Sequence, residues 1–159
     1  MIKKQDMITG AVFYTVGDTI AALLSDEFSW IRVLGMILIG GVLYAWEIPA
    51  YFGFINKLST KYVGWKASVM RMLLAQVYFN PIWIVRHLAM IKLLLWRTDM
   101  LNMELFTIAW YSFLWNIPVS LFANYIIQNV VREKFRFLAN AIFSGMMAVY
   151  YALSASWFS

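Results

Sequence analysis

The chain has 159 residues, of which 63% are hydrophobic and only 13% are charged, with a mean hydropathy of +0.70. Soluble domains are about 45–50% apolar and about 25% charged, so this composition excludes a disordered chain, a nucleic-acid-binding module and an ordinary soluble enzyme. The formal net charge is +5. Length favours a single domain. The sequence therefore predicts an all-α, polytopic membrane helix bundle whose partner is the lipid bilayer.

Apolar windows locate the predicted membrane helices along the chain. A helix crosses about 30 Å of hydrocarbon with about 20 mostly apolar residues. In chain order, the predicted spans are 7–24, 33–55, 67–85, 105–131 and 137–158. A shorter apolar stretch at 88–96 either continues the third helix beyond Pro81 or lies in the interface. Four spans with one broken segment is therefore an alternative to five. Asp18 interrupts the first window, which favours a retained helix over a cleaved signal peptide.

Basic residues are distributed unequally between the loops. If the chain crosses five times, nine of its 13 basic residues share one side: Lys3, Lys4, Lys57, Lys61, Lys66, Arg71, Arg132, Lys134 and Arg136. The other side holds Arg32, Arg86, Lys92 and Arg97. Cytoplasmic loops carry an excess of Lys and Arg. This asymmetry predicts that the N-terminus is inside and the C-terminus outside. It also accounts for the positive charge without a nucleic-acid partner.

Several residues within the predicted spans are too polar for lipid. A charge at the bilayer centre costs at least ~2.5–3.5 kcal/mol, so such residues face the bundle or water. The charged ones are Asp18, Glu47 and Arg71, and the neutral ones include Gln76, Asn80, Asn116 and Asn124. Two interpretations stay open: they tie helices together, or they line a hydrated path. In the second, Asp18 and Glu47 set the charge preference, with Arg71 as the expected counter-ion and Arg86 as an alternative.

Three prolines lie inside the predicted spans. Pro49, Pro81 and Pro118 each remove a backbone donor and free a carbonyl, and each is predicted to break its helix. Freed backbone at membrane depth is tolerated only against protein or water. The segments 46–49 and 115–118 also share a Trp-x-Ile-Pro pattern. Paired interruptions can indicate a midplane transport site, although proline kinks also serve packing.

Chemistry-bearing motifs do not occur in the sequence. There is no His-Glu-x-x-His zinc motif, no glycine-rich phosphate loop and no motif around a catalytic nucleophile. The chain contains no cysteine and one histidine, His87, which is expected at the membrane interface. The sequence therefore predicts a protein that is not an enzyme and has no metal or cofactor.

Small residues recur at helical spacing in three of the predicted spans. They are Gly10, Gly17 and Ala21 in the first, Gly35, Gly40 and Gly41 in the second, and Ser144, Ala148, Ala152 and Ser156 in the last. Such residues let helix backbones approach closely in membranes. Helix packing is therefore their predicted role.

The order of several short motifs resembles the Mpv-type peroxisomal and mitochondrial inner-membrane protein family. The motifs are 16–20 with Gly17 and Asp18, 72–81 with Gln76 and Pro81, 115–124 with Pro118 and Asn124, and the closing Arg132 or Arg136 followed by 150–154. Ala75 stands where that family carries Asp. The resemblance implies a compact bundle of about four membrane helices that acts as a small-solute channel or in membrane homeostasis.

The middle of the chain also resembles the bacterial L-alanine exporter family. Gly64 and Trp65 precede Pro81, with a Val-x-Phe pattern between them, and 49–53 is similar to a Trp-Pro-Tyr-Gly motif of that family. This resemblance implies a small helical exporter.

These observations lead to a predicted function with two alternatives. The prediction is a channel or transport path for small polar solutes. The alternatives are an amino-acid exporter with alternating access, and a structural subunit of a larger membrane complex that transports nothing. A homo-oligomer is compatible with each. The membrane is expected to be a bacterial inner membrane or an organelle membrane, either peroxisomal or inner mitochondrial.

Overall fold

The computed structural model describes the backbone of residues 3–157 and the side chains of residues 3–150. Within that part of the chain, all regular secondary structure is helical, and there are seven α-helices. They are α1 (Lys4–Leu24), α2 (Trp30–Leu38), α3 (Ala45–Ser59), α4 (Trp65–Tyr78), α5 (Pro81–Leu94), α6 (Met103–Asn129) and α7 (Glu133–Trp157). A π-helical turn, Ile39–Tyr44, joins α2 to α3 without a break.

Three helical segments are long and apolar enough to cross a membrane. Among the described residues these are Lys4–Leu24, Trp30–Ser59 and Met103–Asn129. They overlap the predicted spans at 7–24, 33–55 and 105–131. The predicted all-helical fold is confirmed, and its helices are consistent with an integral membrane protein. The last predicted span, 137–158, falls on α7, whose final side chains lie outside the described residues.

The third predicted span contains the helix break that was predicted at Pro81. α4 ends at Tyr78 and α5 begins at Pro81, so the span is divided into two helices. Asn80 caps α5, because its Oδ1 accepts a hydrogen bond of 3.0 Å from the Trp83 backbone N–H. Pro81 occupies the first helical turn, where a missing N–H costs nothing. Both features start α5 at this point.

The predicted helix breaks at Pro49 and Pro118 are wrong. Both prolines lie inside helices that continue past them, α3 and α6. A proline can be accommodated when the lost hydrogen bond is the only interruption and neighbouring helices support the backbone. The irregular backbone near Pro49 is instead the π-helical turn that ends at Tyr44.

Contacts between the helices fix their directions. Along α1, Gly10 faces Phe137 and Gly17 faces Gly145, so α1 and α7 run parallel. Along the same helix, Gly10 faces Gly40 while Asp18 binds Arg32, so the second helical segment runs antiparallel to α1. A Cβ added at Gly10 or Gly17 would collide with the backbone of Gly40 or Gly145. The predicted packing role of these glycines is confirmed.

The two ends of the bundle gather different loops. At one end, Asn56 near the end of α3 meets Glu133 and Arg136 at the start of α7, at 3.2 and 2.7 Å. At the other end, the loop after α1 meets the end of α5, through Glu27 and Lys92. This grouping agrees with the two sets of loops predicted from the basic residues.

Candidate functional site

A stripe of polar side chains runs along the buried face of α6. Its residues are spaced by four and are at most 6% exposed: Ser112, Asn116, Ser120, Asn124 and Gln128. A spacing of four keeps side chains on one face of an α-helix. The opposite face of α6 carries exposed apolar residues such as Trp115 and Phe122. This helix therefore turns its polar face toward the bundle interior and its apolar face outward.

A central cavity lies against this stripe. Asn116, Ser120 and Asn124 line it from α6, and Phe79 lines it from the break between α4 and α5. The helices α1, α5 and α7 complete the wall with Tyr14, Trp83, His87, Asn140, Phe143, Ser144, Met147 and Ala148. About 30 Å³ is open to the centres of water molecules. One water needs roughly 10–15 Å³ on this measure. The cavity therefore has room for about two waters and for no larger solute.

Hydrogen bonds hold most of the polar groups around the central cavity. Asn140 Nδ2 donates to the Tyr14 hydroxyl at 3.1 Å, and that hydroxyl donates to Ser144 Oγ at 3.4 Å. On the other side, Asn124 Nδ2 donates to Gln76 Oε1 at 3.1 Å. These bonds fix the side chains that face the cavity.

One end of the polar stripe carries unused hydrogen-bonding capacity. Gln128 is fully buried, yet neither its Nε2 nor its Oε1 has a partner among the described residues. The same holds for Gln76 Nε2, whose side chain bonds Asn124, one turn from Gln128. Buried amides without partners are costly. Neither Gln76 nor Gln128 lines the central cavity or the outer cavity described below.

A second, outer cavity lies farther along the same helices, toward the end of the bundle with the 25–29 loop. It offers about 150 Å³ to the centres of water molecules. Its polar lining is Asp18, Ser25, Glu27, Arg32, His87 and Lys92, and its apolar lining is Ala21, Leu88, Ile91, Leu105, Ile108 and Ala148. The outer cavity is larger and more strongly charged than the central one.

The Asp18 carboxylate and the Arg32 guanidinium form the buried centre of the outer cavity. Arg32 Nε and Nη2 each donate to one carboxylate oxygen at 2.8 Å. Both side chains are at most 5% exposed. A two-bond fork of this kind fixes both the distance and the orientation of the pair. Arg32, predicted in a loop, is thus a buried residue of α2, and the predicted Arg71 counter-ion is wrong for Asp18.

Glu27 sits at the mouth of the outer cavity among three cations. Its carboxylate accepts from Lys92 at 2.8 Å, from Arg97 at 3.1 Å and from Arg32 at 3.2 Å. Burial raises the pKa of the Glu27 carboxyl, but the hydrogen bond to Lys92 and the charges of Lys92, Arg32 and Arg97 outweigh it and hold this pKa below its ordinary value of 4.5. Glu27 therefore stays ionised and joins the end of α5 to the loop after α1.

Three of the predicted path residues lie elsewhere. Glu47 binds Arg86 through two bonds of 2.8 and 2.9 Å, in a lateral recess that Asn80 also lines. Asn80 is the cap of α5. Arg71 donates to Asn129 Oδ1 at 2.8 Å near the opposite end of the bundle. Glu47 therefore has Arg86 and not Arg71 as its counter-ion, and the geometry gives these three residues structural contacts away from the two cavities.

The remaining predicted residues converge. Asn116 and Asn124 line the central cavity, Gln76 bonds Asn124, and Asp18 lines the outer cavity. His87, predicted at the membrane interface, is instead 5% exposed and lines both cavities. The imidazole is buried because the rings of Tyr44 and Trp83 pack against it.

Sequence reasoning missed several lining residues on three different helices. These are Tyr14, Ser120, Asn140 and Ser144. The four-residue ladder of polar residues along α6 is visible in the sequence and could have identified Ser120. Tyr14 and Asn140 carry no such signal, because their roles depend on how α1 and α7 rotate against α6.

Comparison with known proteins finds no match for this chain among family models, curated proteins or solved structures.

Proposed function

We propose that this protein passes small polar solutes across a membrane along the polar face of α6. The observation that carries the proposal is a pair of cavities with polar side chains in their walls, which share His87 and Ala148. Polar side chains within membrane helices are expensive and commonly mark solute pathways. The order of motifs that resembles the Mpv-type family, with Asp18, Gln76 and Asn124 among its residues, supports the same function.

The proposal includes five crossings of the membrane. In this arrangement α4 and α5 together make one interrupted crossing, since Tyr51 contacts Leu74 while Tyr44 contacts His87, so both helices run antiparallel to α3. The parallel α1 and α7 fit an odd number of crossings. The loop basic residues favour an inside N-terminus.

A carrier is the second candidate, and the size of the central cavity favours it. Room for about two waters is too little for an amino acid or a sugar. Passage of such a solute therefore requires the helices to rearrange. A carrier that exposes its central cavity alternately to each side, like the exporter of the second resemblance, rearranges in this way, whereas a pore needs only a wider open state.

Solute efflux from proteoliposomes tests the proposal. The purified chain is reconstituted in vesicles loaded with a graded series of amino acids, sugars and inorganic ions. Release is compared with that from protein-free vesicles loaded with the same solutes. Release that falls smoothly with solute size supports a pore, and saturable release of one solute supports a carrier. Release equal to that of protein-free vesicles would contradict transport and favour a structural subunit.

A further inference from the structure

His87 lies between the two cavities. The central and outer cavities have largely different lining residues, but His87 and Ala148 belong to the walls of both. Ala148 presents only a methyl group, so the imidazole is the larger of the two shared side chains. The imidazole therefore lies where the walls of the two cavities meet.

Neighbouring aromatic side chains hold the imidazole in place. The Tyr44 hydroxyl and His87 Nδ1 share a hydrogen bond of 2.8 Å. On one face, the Trp83 ring stacks on the imidazole with a centroid separation of 5.5 Å and an interplanar angle of 4°. The ring is therefore fixed by one bond and one stacking contact.

A movement of α5 would affect the Tyr44 hydrogen bond but not the Trp83 stacking. Trp83 and His87 both belong to α5 and are one turn apart, so their stacking moves with that helix. Tyr44 instead ends the π-helical turn before α3. π-Turns often occur at functional sites. A shift of this turn relative to α5 breaks the Tyr44 bond and frees the imidazole.

We infer that His87 is the gate between the outer and central cavities, and that Tyr44 is the positioning residue that keeps it closed. The inference rests on the proposed function, which supplies the solute that passes. In the closed arrangement, the imidazole separates the charged outer cavity from the amide-lined central one. When the Tyr44 bond is lost, the ring turns and the two cavities join.

The lack of cysteine allows a test that does not depend on transport. Ser120→Cys places one thiol in the central cavity, where the native hydroxyl bonds only the Ile117 carbonyl among described partners. Ser25→Cys places one at the outer cavity. The rate of thiol loss to Ag⁺, a thiol-reactive ion about as small as a water molecule, is then measured for the purified chain in detergent micelles.

The gate predicts different rates for the two thiols. Tyr44→Phe and His87→Ala should each raise the rate at Ser120→Cys at least tenfold and leave the rate at Ser25→Cys unchanged. The matched control is Tyr51→Phe, which removes a hydroxyl bond of 2.9 Å to the Leu74 carbonyl without touching His87. It should leave both rates unchanged. Melting temperatures confirm that each variant is folded, and Tyr44→Phe keeps the test valid if His87→Ala does not fold.

Two results would overturn the gate. One is an unchanged Ser120→Cys rate in folded Tyr44→Phe. The other is an equal rise in Tyr51→Phe, which would indicate general loosening of the bundle. Both are separate from the failure of the proposed function, which is the absence of solute release by the parent chain in vesicles.

Discussion

At the scale of single residues, the ion pair between Asp18 and Arg32 is a buried, two-bond tie between α1 and α2. Both groups are buried and each oxygen of Asp18 accepts one bond. Removing one partner of a buried pair leaves an uncompensated charge and costs about 3–5 kcal/mol, whereas replacing both with apolar groups costs much less. For this buried pair, one substitution should therefore lower the free energy of unfolding more than two substitutions together, which is not expected of a surface pair.

We expect Arg32→Met to destabilise the protein by about 3–5 kcal/mol and the double variant Asp18→Leu/Arg32→Met to be more stable than that single variant. Unfolding in detergent gives both free energies. The more exposed pair of Glu47 and Arg86 serves as the control, because Arg86→Met should cost less. If the double variant loses as much as the two single changes together, the pair is not coupled as described.

Glu27 gives the protein a predicted pH dependence. Its pKa is lowered in the folded state by Lys92, Arg32 and Arg97, against the effect of burial. A carboxyl with a depressed folded pKa contributes stability above its unfolded pKa, and this contribution is lost as pH falls through the folded pKa. We expect stability to fall below about pH 4.5, the ordinary value for this group.

The comparison that isolates Glu27 is between the parent chain and Glu27→Gln. The variant should melt lower at pH 7, and its difference from the parent should shrink as the pH is lowered from 5 to 3. A difference that stays constant over this range would show that Glu27 does not gain stability from its cations.

At the scale of helices, the sequence predicts where segments lie better than how they pair. Runs of apolar residues locate α1 and α6 because membrane helices need length and hydropathy, which are local properties. The Asn80-Pro81 dipeptide is a local start signal for α5 and lies at the helix break predicted at Pro81. The partner of Asp18 is not local, because it depends on the rotation of α2 against α1.

Glycine contacts between helices give a prediction at this scale. Gly17→Ala adds a Cβ that collides with the backbone of Gly145, so α1 and α7 must separate. We expect a loss of roughly 1–3 kcal/mol in unfolding free energy, as for an overpacked core. Gly53→Ala is the matched control, since no described atom lies within 4 Å of its added Cβ.

The control should be neutral or slightly stabilising, because Ala has the higher helix propensity. Equal losses in the two variants would contradict the close crossing of α1 and α7.

At the scale of the whole molecule, the polar residues come to line the two cavities only when the helices are assembled. Asn116 and Asn124, which line the central cavity, could be singled out from the sequence, because amides are out of place in an apolar stretch. Glu47 met the same criterion but lies in a lateral recess with Arg86. The sequence alone does not distinguish a polar residue that lines a cavity from one that is held in a structural ion pair. Distinguishing them requires the positions of all the helices.

The most direct test of the path compares two single variants on opposite faces of α6. Asn116→Leu replaces a cavity-lining amide with an apolar group of similar size, and Thr107→Val changes an exposed residue of the same helix. In proteoliposomes, Asn116→Leu should reduce efflux of the transported solute at least tenfold, while Thr107→Val matches the parent. Parent-like efflux in folded Asn116→Leu would contradict the polar face of α6 as the solute path.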